Sequence, residues 1–188
     1  FINLIGLSTG LACALLIFLW VNDELSIDKF NENDNRLFQV MQNYPEGNEI
    51  QTMEHTQGIL AQALAEEIPE IQLATTVMPA SWFAKMGILK VGETSIKVKD
   101  QYVGKDYFNI FSCDFLGGDK DQVLAEKHSV VISEKLAEKL FDSNENSIGK
   151  TIHWNQGKIS GLFQITGVFK SPPSNATAKF DILFNYSV

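Results

Sequence analysis

Few side chains in this sequence stand at spacings that could do chemistry, and each set competes with a plainer role. Gly149-Lys150-Thr151 has the form of the end of a phosphate-binding loop. Such a loop cradles phosphate in backbone N–H groups and needs a glycine at position 144, a strand before it and a helix after it. Position 144 is Asn, and the residues after Lys150 read as a strand, so a polar turn is the better account. His55, His128 and His153 are isolated, and none stands at a zinc-like spacing from another ligand type. No GxSxG elbow and no Cys-His signature is present. Glu66-Glu67 reads as the solvated face of a helix end. Asn175-Ala176-Thr177 and Asn185-Tyr186-Ser187 match the glycosylation pattern, which is frequent by chance. No catalytic, metal-binding or cofactor-binding residue is assigned on these grounds, and no enzyme activity is expected.

The element that organises the chain is its beginning. Residues 1–21 carry no charged side chain, and as a helix they would cover roughly 32 Å, about the hydrocarbon thickness of a bilayer. The expected division is a transmembrane helix over 1–22 and one domain over 23–188. The chain starts at Phe1, so it is expected to be a piece or a processed product of something longer. A cleaved signal peptide would begin with basic residues and end at a small-residue site, and neither is present. Lipidation at Cys13 would need an aliphatic residue where Gly10 stands. Gly6, Gly10 and Ala14 recur every four residues and form a small-residue stripe suited to packing against other membrane helices. Trp20 suits the interfacial aromatic belt. Downstream, Lys29 and Arg36 are the only basic residues before Lys85, which favours the non-cytoplasmic side for the domain.

The net charge of −8 argues against nucleic acid as a partner and against a polybasic membrane patch. Cys13 lies in the apolar run and Cys113 beyond it, so no internal disulfide is expected. Residues 25–30 are expected to continue the helix as a stalk, with Asp23, Glu24, Leu25, Asp28 and Phe30 as its residues. Residues 36–42 alternate like a strand. Residues 56–68 read as a helix closed by Pro69, and 71–78 as strand-like. Residues 88–91 and 95–99 flank a hairpin turn. An aromatic helical turn at 106–111 follows. A buried strand at 130–132 leads into a helix capped by Ser133 and running to Phe141. Strands are expected at 151–154, 162–169 and 180–184. The class is α+β: one N-terminal transmembrane helix, then a mixed or antiparallel sheet with a few short helices. Trp82, Phe83 and Met86 could form an exposed patch for a partner. Core is the favoured reading, because aromatics bury large apolar area.

Several stretches, in this order, carry a family resemblance: FINLIGLSTGLACALLIFLWVNDELSIDKF, NRLFQV, EEIPEIQLATTV, DYFNIFSCDFLGGD, HSVVISEKLAEKLF, NSIGKTI and FQITGVFKSPP. Together they resemble the MacB/FtsX-like permease subunits of bacterial ABC transporters, more narrowly the long permeases common in Bacteroidetes. The chain departs from that pattern after its proline pair, where SNATAKFD replaces an Asn-Ser-His-like link before Lys-Phe-Asp. The resemblance implies the first membrane helix plus part of a periplasmic core domain that continues past Val188, in the bacterial inner membrane. It implies as partners a separate cytoplasmic ABC ATPase, further permease helices or a second permease copy, the lipid bilayer, and a periplasmic partner or substrate. No cofactor is implied. The mechanism implied is transmission of ATPase closure through the helix to the outer domain. The alternative is a single-pass anchored sensor or ligand-binding module, which would need a cytoplasmic output rather than more membrane helices.

Overall fold

In the computed structural model, residues 1–82, 86–141, 143–144 and 146–187 are described. The apolar run forms one helix, α1 (Ile2–Leu25), about 36 Å long at 1.5 Å per residue. Its apolar window is entirely unburied against the rest of the chain. A core helix of a soluble domain hides its leucines and phenylalanines; this one leaves them outward on all sides, as a helix in lipid does. Length and composition suit a bilayer span.

The helix does not continue as a stalk. It stops at Leu25, and the chain then turns, with Asp28 in the left-handed region at φ 58°. Two carboxylates, Asp23 and Glu24, stand in the last turn with no basic residue to offset the helix dipole. Ser26 takes over the free carbonyl of Asp23, donating from both its N–H and its Oγ.

The domain is a mixed sheet. Its strands are β3 (Val77–Pro79), β4 (Gly87–Val91), β5 (Thr94–Val98), β6 (Asp100–Val103), β7 (Phe115–Gly117), β8 (Ser129–Ser133), β9 (Thr151–Gln156), β10 (Ile159–Phe169) and β11 (Ile182–Asn185). The spatial order is β3-β6-β11-β8-β10-β9-β4-β5, and β7 pairs with β10 beyond the end of β9. β8 runs parallel to β10, and β6 parallel to β11; the other pairs are antiparallel. A separate hairpin, β1 (Gln42–Glu46) with β2 (Glu49–Met53), stands outside this sheet. The helices are α2 (Leu60–Glu67), α3 (Tyr107–Ile110) and α4 (Glu134–Phe141).

The middle of the sheet is covered on both faces. Val130, Ile132, Ile182 and Phe184 point into one core with α4, while Val131 and Leu183 point into a second with Tyr107 and Phe108 of α3. This is why 130–132 is an unbroken apolar run. Towards β4 and β9 only one face is covered. Leu89, Ile152 and Trp154 go in, while Ile88, Lys90 and His153 go out.

Asp100 is fully buried at the start of β6, where Gln156 donates to its Oδ1 at 3.1 Å and accepts from Tyr102 at 2.9 Å. Burial raises its carboxyl above the ordinary value, outweighing the Gln156 amide and the backbone N–H groups of Asp100 and Gly87, which lower it. The fold therefore favours the neutral acid. That contribution is complete below the unfolded value near pH 4 and is lost as pH rises through the raised one. Asp100→Asn keeps an acceptor for Gln156 and removes the titration. Urea midpoints at acid and neutral pH should show the variant gaining on the parent as pH rises; a variant weaker at neutral pH would mean the carboxylate is tolerated there.

Several sequence expectations are corrected. Of residues 36–42 only Gln42 is in a strand: a 3₁₀ turn spans Asp34–Arg36 and strand pairing begins at Gln42. Phe38 is 87% exposed, so the alternation there has no sheet face to meet. The helix at 56–68 shortens to Leu60–Glu67, and the strand at 71–78 to Val77–Pro79. The hairpin, the Ser133-capped helix and the last strands stand close to where they are expected, with Ser133 Oγ accepting from Leu136 N–H at 3.3 Å.

Candidate functional site

The most connected polar site lies where α1 meets the domain. Asn175, in the loop between β10 and β11, donates its Nδ2 to Ser26 O at 2.8 Å and to Ser26 Oγ at 3.2 Å. Asp28 N–H donates back to Asn175 O at 3.2 Å, and Asp28 Oδ1 accepts from Thr177 N–H at 2.9 Å. These contacts explain the positive φ at Asp28. The left-handed turn sends its N–H and its carboxylate to the same loop, and Asp tolerates that region better than most residues.

A second set of contacts follows at once. Asn31, 8% exposed, donates its Nδ2 to Asp28 O at 3.0 Å and accepts Ser112 N–H at 3.1 Å. Glu32 N–H donates to Ser112 Oγ at 2.9 Å, and Asn33 Nδ2 to Ile110 O at 3.3 Å. Lys29 pairs with Asp34 at 2.5 Å, the one ion pair among the described residues. The helix end is thus tied to two loops, one carried by central strands β10 and β11, the other by α3. Both rest on the two cores.

The other expected site residues are scattered. A Cβ added at Gly6 or Gly10 would meet nothing within 4 Å, and Ala14 shares the exposed helix surface. Leu25 is the exposed last helical residue and Phe30 is 38% exposed beside the joint. Trp82 is not core: it is 45% exposed, with His55 edge-on at 4.3 Å between ring centroids. Met86 is 47% exposed, and Phe83 lies outside the described residues. The three histidines do not converge, and among the described residues no group of three His, Cys, Asp or Glu could hold a metal ion. Gly149 N–H is taken by Ile165 O, and strand β9 follows, so the loop presents no phosphate cradle. Burial pushes the Cys113 thiol up to about 12, which suppresses its nucleophilic form.

The sequence matches the family model of the MacB-like periplasmic core domain over residues 1–188. The chain belongs to that family. In the MacB-like family the sequence resemblance and the fold therefore agree. Among solved structures, a domain of a putative permease from Porphyromonas gingivalis is 25% identical, with a TM-score of 0.63. The match covers 78% of this chain and 60% of that one, so this chain spans less than two thirds of its length. The periplasmic region of MacB from Actinobacillus actinomycetemcomitans is also 25% identical, at TM-score 0.49, covering 68% of this chain and 53% of that one. The extracellular domain of the ABC-type transporter YknZ from Gram-positive bacteria is 17% identical at TM-score 0.49, covering 68% and 60%. No curated protein matches the sequence.

Sequence reasoning missed Ser26, Asn31, Ser112, Asn175 and Thr177. The available signal was SNATAKFD, the one stretch departing from the family pattern. It supplies Asn175 and Thr177, one of the two sets of partners of the helix exit.

Proposed function

We propose that this chain is the first membrane helix and outer domain of the permease subunit of an ABC transporter. ATP would be hydrolysed by a separate cytoplasmic ATPase, and its closure would reach the outer domain as a shift of α1. The observation that carries the reading is the family match over an apolar helix and a sheet domain joined by a dense hydrogen-bonded contact. A rigid-body shift passes between elements only where they are tied. Residues 26–33, including Asp28, and the loop partners Asn175 and Ser112 are that tie. Asp23, Glu24 and Leu25 precede it at the bilayer surface, and Phe30 lies within it. Gly6, Gly10 and Ala14 face further permease helices or a second permease copy, where small side chains allow close approach. Trp82 and Met86 are the outward apolar side chains offered to a partner or substrate in the periplasm. The membrane is the bacterial inner membrane, with residues after about 22 outside it.

The test is two glycines inserted after Val21 in the full-length permease, assembled with its ATPase. ATP hydrolysis should persist while transport is lost, because the insertion breaks the continuous helix at the membrane exit. Transport surviving intact would sink the reading.

A further inference from the structure

A second surface lies away from the helix joint. In the strand order β5 is terminal, so one edge of Thr94–Val98 carries unpaired backbone N–H and C=O groups among the described residues. Beside it runs α4. Between them is a groove of about 130 Å³ lined by Ile96, Lys97, Val98, Lys135, Leu136, Lys139 and Asp181. Its floor is apolar: Val98 and Leu136 are each 4% exposed, and Ile96 packs on the same core. Its rim is basic. Lys97, Lys135 and Lys139 are exposed, and none is in an ion pair among the described residues. Asp181 is the one carboxylate on the rim, and it is engaged by the backbone N–H of Lys99 at 3.4 Å.

We propose that this groove takes up an extended acidic segment of a partner protein, added as a strand to the free edge of β5. An open edge supplies main-chain hydrogen bonds, and a helix-walled apolar floor supplies pockets for alternate side chains. The charge decides the occupant. Three lysines meet here on a chain whose net charge is −8. Lys135 and Lys139 are one helical turn apart, roughly 6 Å along the axis, close to the roughly 6.7 Å between same-face residues of a strand. An added strand that runs along α4 would present carboxylates at alternate positions to these two lysines. A second copy of this chain paired through the same edge would bring three more lysines into the seam, which disfavours self-association there. Lysine also blunts edges against pairing, so an edge that binds nothing is the competing outcome.

The probe is a fluorescein-labelled octapeptide of alternating Val and Glu, with a Val/Lys twin, titrated onto the full chain in nanodiscs. The acidic peptide should bind with Kd tighter than about 1 mM, more weakly as salt is raised. Lys135→Glu with Lys139→Glu should cost about tenfold in affinity or more, and Lys135→Gln with Lys139→Gln less. Bound peptide should slow hydrogen exchange in Thr94–Val98. Binding of both twins alike, absence of binding, indifference to the lysine variants, or no protection of β5 would each overturn the proposal. Edge-to-edge dimerisation without peptide would overturn it too. The experiment involves neither ATPase nor transport, so its failure leaves the permease reading untouched.

Discussion

On the proposed permease role, Asn175→Ala combined with Asp28→Gly is expected to abolish transport while leaving the sheet folded. The pair removes both Asn175 contacts to Ser26 and the Asp28 carboxylate contact to Thr177. Glycine at 28 keeps the left-handed turn accessible, so the loss is of side-chain ties rather than of backbone geometry. Each tie contributes about 1 kcal/mol, so local opening of the joint becomes easier by about 2–3 kcal/mol, or roughly a hundredfold in population. Hydrogen exchange should report it at Asp28 and Thr177, with Glu32 less affected because Ser112 still holds it. Amides of β8 and β10, deep in the two cores, should exchange as before. In the assembled transporter, ATP hydrolysis should continue without export. Faster exchange throughout the sheet would mean the joint stabilises the fold instead of transmitting motion. Unchanged transport would mean the load passes elsewhere.

Gly87→Ala is expected to be the most destabilising small substitution in the sheet. A Cβ at position 87 would overlap Cη2 and Cζ2 of Trp154, well inside van der Waals contact. The indole cannot retreat freely. Trp154 is fully buried, lies 4.8 Å from the Phe184 ring, and sits beside the Tyr102–Gln156–Asp100 chain of hydrogen bonds. Overpacking of this kind costs about 3 kcal/mol or more when neighbours cannot shift, which is a large part of a domain's margin. Chemical denaturation should show the midpoint falling with little change in slope. Trp154→Leu in the Gly87→Ala background should recover part of the loss, although Trp154→Leu alone destabilises by leaving a cavity. If the two losses simply add, the clash is not the cause.

Residues 1–21 needed no tertiary information to be read, because an uncharged run of that length has few physical solutions. The β4–β5 hairpin, the Ser133-capped helix and the buried strand at 130–132 were legible for a similar reason. Their signals are local: a turn glycine, a cap, an unbroken apolar run. Residues 36–42 misled because alternation predicts a strand only where a sheet offers a face to cover, and none lies beside Phe38. Trp82 misled because large aromatic area favours burial only where the chain closes over it. β6 was missed because its leading residues, Asp100 and Gln101, are polar, and Asp100 is buried against Gln156, a partner distant in sequence.

The joint shows the same division. By itself the sequence determined that a helix long enough for a bilayer precedes an acidic α+β domain, and that the charges start at Asp23. It could not show that the helix stops at Leu25, nor that Asn175 and Thr177 reach back about 150 positions to hold Ser26 and Asp28. Periodicity and composition are sums over neighbours in the chain. A hydrogen bond between a helix end and a distant loop exists only once β8, β10 and β11 have packed side by side and carried that loop to the membrane exit.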